Sequence, residues 1–284
     1  QVLSVGRDGV MLPIVKSSKY RKGTAATLAV FCRQGKRIGT VYWGAMPEEY
    51  QQTLSDALTK LITDVLAQWT GPMPRLTYVT DAGYHPTSYF DSVLSRMHHP
   101  VTGKQLEWFW IVDYYHACQY ISKIAQAIFG PGREAYAWAK KMRHWLKTKP
   151  QGVSRVLHSA GALRTIRGLV SADREDEYKS ACSYLRKHAK FMDYAYYLRR
   201  RLSIGSGVTE AACKTVFTQR FKQSGMKWKI ESAAHILTLR VTALSGVWDT
   251  VRESMLAEMD VLYRKHIKPA THTKREPADH ANAA

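Results

Sequence analysis

Strand periods and helical periods follow one another along the first 131 residues. The opening stretch LSVGRDGVMLPIV is dense in strand formers. GTAATLAVFCRQGKRIGTVYWG reads as two strands, 25–33 and 36–43, joined by a short Gln-Gly turn. Residues 48–69 then carry Leu54, Leu58, Leu61, Ile62, Val65 and Leu66 at helical spacing, which predicts a long amphipathic helix ended by GPMP. RLTYVT to Thr80 predicts a short buried strand, 87–97 a helix, LEWFWIV to Val112 a second buried strand, and 114–129 another helix. The order β-β-β-α-β-α-β-α predicts an α/β fold with a mixed sheet, antiparallel through the first three strands and parallel where helices intervene.

From Gly132 the pattern turns wholly helical, over 133–147, 153–167, 175–200, 208–222 and 231–263, with no further strand candidate. The final stretch carries Pro269, Pro277 and no apolar periodicity, so 264–284 is expected to be a disordered tail.

Composition narrows the partners. The 284 residues are 45% hydrophobic, enough for a real core, yet carry a formal charge of +19. That excess points to a polyanion. Nucleic acid is preferred over a membrane, because no apolar run reaches the roughly 20 residues of a bilayer span and no signal-peptide core is present. A start at Gln1, on a strand, implies an N-terminal part that is absent here. Cys32, Cys118, Cys182 and Cys213 lie far apart without a C-x-x-C pair, which argues against a zinc finger and for reduced thiols in the cytoplasm.

Four carboxylates are candidates for chemistry. Asp81 and Asp113 each directly follow a buried strand, where open α/β sheets build sites, although Asp there also serves as a turn residue or helix N-cap. Asp8, in Asp-Gly flanked by apolar residues, reads either as a hairpin turn or as part of one long first strand in which Gly9 leaves room beside it. Glu210 is the lone carboxylate between Asp193 and Glu231, among Arg199, Arg200, Arg201, Lys214, Arg220, Lys222, Lys227 and Lys229. It suits a helix N-terminus and a Glu-to-Lys pair with Lys214. GSG before it, and Ala211, Ala212 and Cys213 after it, would let its helix pack closely on a sheet bearing Asp8 and Asp81. Three gathered carboxylates repel unless they surround divalent cations, for which Mg²⁺ or Mn²⁺ suits oxygen ligands.

These residues carry a resemblance. The element order, with an acid on the first strand, one after the fourth and a Glu on a later helix, resembles the ribonuclease-H-like fold of DDE transposases. DYYHACQYISKIAQAIFGPGREAYAWAKKMRHWLK, GVSRVL, SYLRKHAKFMDYA, LSIGSGVTEAACKTVFTQRFKQSGMKW and LRVTALSGVWD are similar to the Kra-type family of bacterial insertion-sequence transposases.

The resemblance implies a mixed-sheet core begun by 1–131, an all-α insertion over 132–202, and a return over 203–263 that supplies the Glu helix. It implies Asp8, Asp81 and Glu210 as the triad holding two Mg²⁺ or Mn²⁺ ions, with Asp113 and His116 as an acid-x-x-His motif. Asp81 is preferred to Asp113 as the second acid because the fourth strand is the usual position, and the choice stays open at the level of sequence. His116 also fits an ordinary helix histidine. Arg199, Arg200, Arg201, Lys214, Arg220, Lys222, Lys227 and Lys229 are expected on DNA backbone. Trp228 is expected as a stacking or wedge residue, or else as an ordinary core Trp. The implied activity is strand cleavage and strand transfer on double-stranded DNA, at insertion-sequence ends and target, by a homo-oligomer. A ribonuclease-H-like nuclease without strand transfer and a non-catalytic DNA-binding relic are the alternatives.

Overall fold

The structure, a computed structural model, describes residues 1–266 and side chains through residue 261. Five strands form one mixed sheet in the order β3-β2-β1-β4-β5: β1 Val2–Leu12, β2 Arg21–Phe31, β3 Arg37–Ala45, β4 Arg75–Thr80 and β5 Trp108–Val112. β1 pairs antiparallel with β2, and β2 with β3, while β1–β4 and β4–β5 are parallel. Asp8 and Gly9 lie inside β1, opposite Ala25 and Thr24 of β2. The Asp-Gly turn does not form, because the ladder to β2 continues through it on both sides.

Helices cover both faces of the sheet. α1, Gln52–Ala67, buries Leu54, Leu58, Ile62 and Leu66, one per turn. Its exposed first N–H groups are met by the Glu48 carboxylate, which accepts from Thr53 N and Leu54 N at 3.2 and 3.1 Å. α2, Tyr84–Ser92, starts earlier than its expected span and passes into a short 3₁₀ turn, Leu94–Arg96. α3 Tyr114–Phe129, α4 Arg133–Thr148 and α5 Gly152–Arg167 follow. Leu54 and Leu58 of α1, Val5, Tyr78 and Ile111 of the sheet, Ile121 and Ile124 of α3, and Met142 and Leu146 of α4 belong to one continuous core. A second, smaller core joins Leu12 and Ala25 to Phe217, Phe221 and Leu237.

Three long helices expected from periodicity are interrupted. The 175–200 pattern divides into α6 Glu175–Lys187, a 3₁₀ turn Ala189–Phe191, and α7 Tyr194–Arg199, because Asp193 accepts from Tyr196 N and starts a new helix. The 208–222 pattern becomes α8 Gly207–Ala212, a π-turn Cys213–Thr218 and α9 Gln219–Phe221. The π-turn leaves the Thr215 carbonyl free to accept the Nε–H of Arg240 at 2.8 Å. The 231–263 pattern divides into α10 Ile230–Leu244 and α11 Trp248–His266 at Gly246, whose φ of +69° is a left-handed helix stop.

Residues 1–245 form one compact unit, and a second begins at Gly246, of which α11 is described. Of the expected tail, 264–266 end α11, and 267–284 lie outside the described residues. Among the described residues no helix is long and apolar enough to cross a membrane.

Candidate active site

The β1–β4 register decides what Asp8 meets. Gly6 is level with Val79 in the parallel pair, so two residues further along each chain Asp8 arrives beside Asp81. Alternation sends Arg7 to the other face of the sheet, where its guanidinium donates to Ser55 Oγ at 3.1 Å and Gln51 Oε1 at 2.9 Å and lies over the Tyr89 ring. Arg7 is 1% exposed and has no carboxylate partner among the described residues.

Each acid is held by backbone. Asp8 Oδ1 accepts from Gly9 N at 2.6 Å, and Asp81 Oδ1 accepts from Gly83 N at 2.9 Å. Ala82 between them adopts φ +58°, an uncommon left-handed conformation for a residue with a side chain, and this turns the chain back so that Gly83 reaches Asp81. The turn is pinned from the helical side, because Tyr184 of α6 donates its hydroxyl to the Asp81 carbonyl at 2.8 Å.

Burial pushes the Asp8 carboxyl above the ordinary carboxylate range, and repulsion from Asp81 adds to this; Gly9 N–H and the Lys22 ammonium act the other way. Lys22 reaches the site because Gly9 has no side chain: a Cβ there would stand 1.8 Å from Lys22 Cε. Lys22 and Arg7 also help burial to hold His85 below its usual value.

Glu210 approaches from the Asp8 face. It is exposed on α8, and the neighbouring Thr209 is buried against β1 and β2, where its hydroxyl bonds that of Thr27 at 2.7 Å. A Cβ on Gly6 would stand 2.1 Å from Thr209 Oγ1, so the close approach of α8 depends on Gly6. Cys213, one turn after Thr209, lies beside Asp8 and within electrostatic reach of Glu210; burial first, then these carboxylates, push its thiol well above the usual range. Among the described residues no three His, Cys, Asp or Glu side chains gather as a preformed metal cluster.

Asp113 is used differently. It is buried; one oxygen accepts from His116 N at 2.8 Å and caps α3, and the other accepts from Ser206 N at 2.5 Å and from the Ser206 hydroxyl. It therefore ties the end of β5 to the Gly205–Ser206–Gly207 turn that launches α8. Asp81, in contrast, keeps one oxygen without a partner among the described residues. His116 is half-buried in an aromatic wall with Tyr120 and Tyr184, whose rings stack at 3.8 Å, and Asp81 acts electrostatically on both tyrosines.

The basic residues separate into two groups. Lys214, Lys222, Lys227 and Lys229 are exposed on and after α8, and Arg220 lies over the Trp228 ring at 5.1 Å. Trp228 is half-buried: its indole donates to Phe221 O at 3.1 Å and its backbone bridges to Ile14, so it serves packing. Lys229 joins Lys16 and Arg21 around a groove of about 610 Å³ beyond the end of β1. Arg199, Arg200 and Arg201 do not share the groove of the acids. Arg200 lies over Phe109 at the start of β5, its carbonyl accepts from Arg75 at the start of β4, and Arg201 donates to Arg33 O at 3.2 Å. Six residue steps along β4 separate Arg75 from Asp81, about 20 Å at the usual rise.

Lys22, Tyr184 and Thr209 are not candidates from sequence, and Ser206 and Cys213 are singled out there only as allowing close packing, yet all five shape the site. No protein-family model matches the chain, and no curated protein matches it in sequence.

Proposed function

We propose that this chain is a DDE-type transposase of the Kra type with a ribonuclease-H-like core, in which Asp8, Asp81 and Glu210 form the catalytic triad. The observation that carries the reading is the pairing of Asp8 with Asp81 across two parallel strands, with the Glu210 helix packed on the same face through Gly6 and Thr209. The strand order, with three antiparallel strands at one side and two parallel strands at the other, suits that fold.

The donor set fits hard divalent cations. Two carboxylates are brought side by side, partly buried, and the Lys22 ammonium offsets the charge of Asp8. Two Mg²⁺ or Mn²⁺ ions held by Asp8, Asp81 and Glu210 would supply an activated water or 3′-hydroxyl nucleophile and charge neutralisation at the leaving oxygen. Asp113 acts one step back: by binding Ser206 it sets where α8, and so Glu210, begins. The Lys22 ammonium is placed to meet a phosphate oxygen beside Asp8. Lys214, Lys222, Lys227 and Lys229 suit sequence-independent contacts to duplex backbone.

The test is nicking of supercoiled plasmid in Mg²⁺ or Mn²⁺, with a pre-cut 3′-hydroxyl duplex added to detect joining. Asp8→Asn, Asp81→Asn and Glu210→Gln are each expected to abolish cleavage while leaving duplex affinity equal or higher, since each removes a ligand and a negative charge. Wild-type cleavage by any of the three removes that residue from the triad. Cleavage without joining of the pre-cut end would mark a nuclease, and metal-independent binding with no cleavage would mark a relic.

A further inference from the structure

The displaced arginines lead to a second site. At the end of the sheet away from the acids, a groove of about 680 Å³ runs between the C-terminal end of α1 and the starts of β4 and β5. Its apolar wall includes Trp69, Met73 and Phe109, and its cations are Arg75, Lys104 and Arg200. Glu107 is the one carboxylate on its lining. None of the three cations has an ion-pair partner among the described residues.

The walls are built, not incidental. The Trp69 indole is fixed by donating to Pro72 O at 3.2 Å, which leaves its ring as part of the wall. Arg75 donates to the Arg200 carbonyl and so joins the two guanidinium-bearing segments. The Arg200 guanidinium is placed by stacking over Tyr196 at 4.8 Å and Phe109 at 5.7 Å. Arg201, donating to Arg33 O, extends the positive surface past the groove.

Unpaired cations beside fixed aromatic surface are the two ingredients of a single-strand platform, in which phosphates follow the charge and bases stack on rings. The volume suits on the order of one or two nucleotides. We propose that this groove binds a single nucleic-acid strand, with phosphates on Arg75, Lys104 and Arg200 and an unstacked base against Trp69. Because the groove lies a β-strand's length from Asp81, the nucleotides it holds are not the ones positioned for cleavage. The inference does not depend on catalysis.

Fluorescence anisotropy with labelled dT12, and with a 12-bp duplex as control, tests this on the full chain. Lys104→Glu with Arg200→Glu, both at exposed positions, is expected to weaken dT12 binding at least ~10-fold. It should also lower the salt slope by roughly 1.4, the value for two lost single-strand phosphate contacts. Trp69→Ala is expected to weaken dT12 roughly 5- to 100-fold, with Trp69→Phe retaining most of the affinity because a phenyl ring still stacks. The duplex should lose much less in every variant. Wild-type dT12 affinity and slope in the double variant would overturn the proposal, as would equal losses for dT12 and duplex. Should Trp69→Ala fail to fold, Trp69→Phe and the double variant still decide the outcome. Plasmid nicking that persists while these variants lose dT12 separates this site from the acid site.

Discussion

Gly6→Ala places a methyl group 2.1 Å from Thr209 Oγ1, 3.2 Å from Thr209 Cβ and 3.2 Å from the Val79 carbonyl. Val79 is backbone of the paired strand and cannot yield, so the strain falls on Thr209 and α8. Overpacking of this kind costs about 1–3 kcal/mol. Losing the buried Thr27–Thr209 hydroxyl bond costs about 1 kcal/mol more. Ala gains back roughly 0.5–1 kcal/mol over Gly in a strand. The net is a destabilisation of about 2 kcal/mol, and for a domain of this size a fall in Tm of about 4–8 °C. If Glu210 serves the proposed triad, a displacement of about 1 Å in it would lower cleavage on the order of 100-fold. Urea unfolding and plasmid nicking read the two effects. In a double-mutant cycle, Thr209→Ala should restore at least about 1 kcal/mol to Gly6→Ala relative to additivity, because the lost hydroxyl bond is counted once and the clashing oxygen is gone. A Gly6→Ala protein with wild-type midpoint and wild-type nicking, or a cycle with no coupling, would refute the packing argument for α8.

Two further outcomes follow from the same geometry. Asp8 has its folded pKa raised above its ordinary value of 3.8, so its contribution to stability is full below that value and lost as pH rises through the folded pKa. With chelator present, Asp8→Asn should therefore melt above the wild type at pH 7, the gap closing as pH falls toward 3.8; calorimetry showing a lower-melting variant at pH 7 would contradict it. Asp113→Ala strips the acceptor from His116 N and from both Ser206 donors, which should cost roughly 2–4 kcal/mol, whereas Asp113→Asn keeps the cap and part of the stability. An Asp113→Ala midpoint equal to wild type would show that this clamp is not structural.

Periodicity made the sheet and most helices legible, because half-buried strands and amphipathic helices are written locally. Asp8 was ambiguous because Asp-Gly is a local turn signal, and only pairing with β2 on one side and β4 on the other overrides it. The helical pattern of 175–200 continued through its break, since Phe191 and Met192 keep the apolar spacing while Asp193 restarts the backbone. Arg199–Arg201 looked like neighbours of Glu210 because they precede it closely in sequence. Residues 202–206 instead carry the chain from the starts of β4 and β5 to the Asp113 end, where Tyr114 N donates to Ile204 O at 2.9 Å. Lys22 and Tyr184 left no local signal. One acts across a glycine on the next strand, and the other through a hydroxyl given to a backbone oxygen over a hundred residues earlier.

That last bond makes α6 a lever. Tyr184 stands nine residues along the helix from Glu175, about 14 Å from its start. A tilt of about 5° around that start would swing Tyr184 by roughly 1.2 Å, which, directed away from the Asp81 carbonyl, carries its 2.8 Å bond beyond hydrogen-bond range. The stacked Tyr120 ring resists that swing, and the left-handed Ala82 peptide is released when it occurs. A load placed on one helix thus reaches the peptide that aims a carboxylate through a single tyrosine hydroxyl.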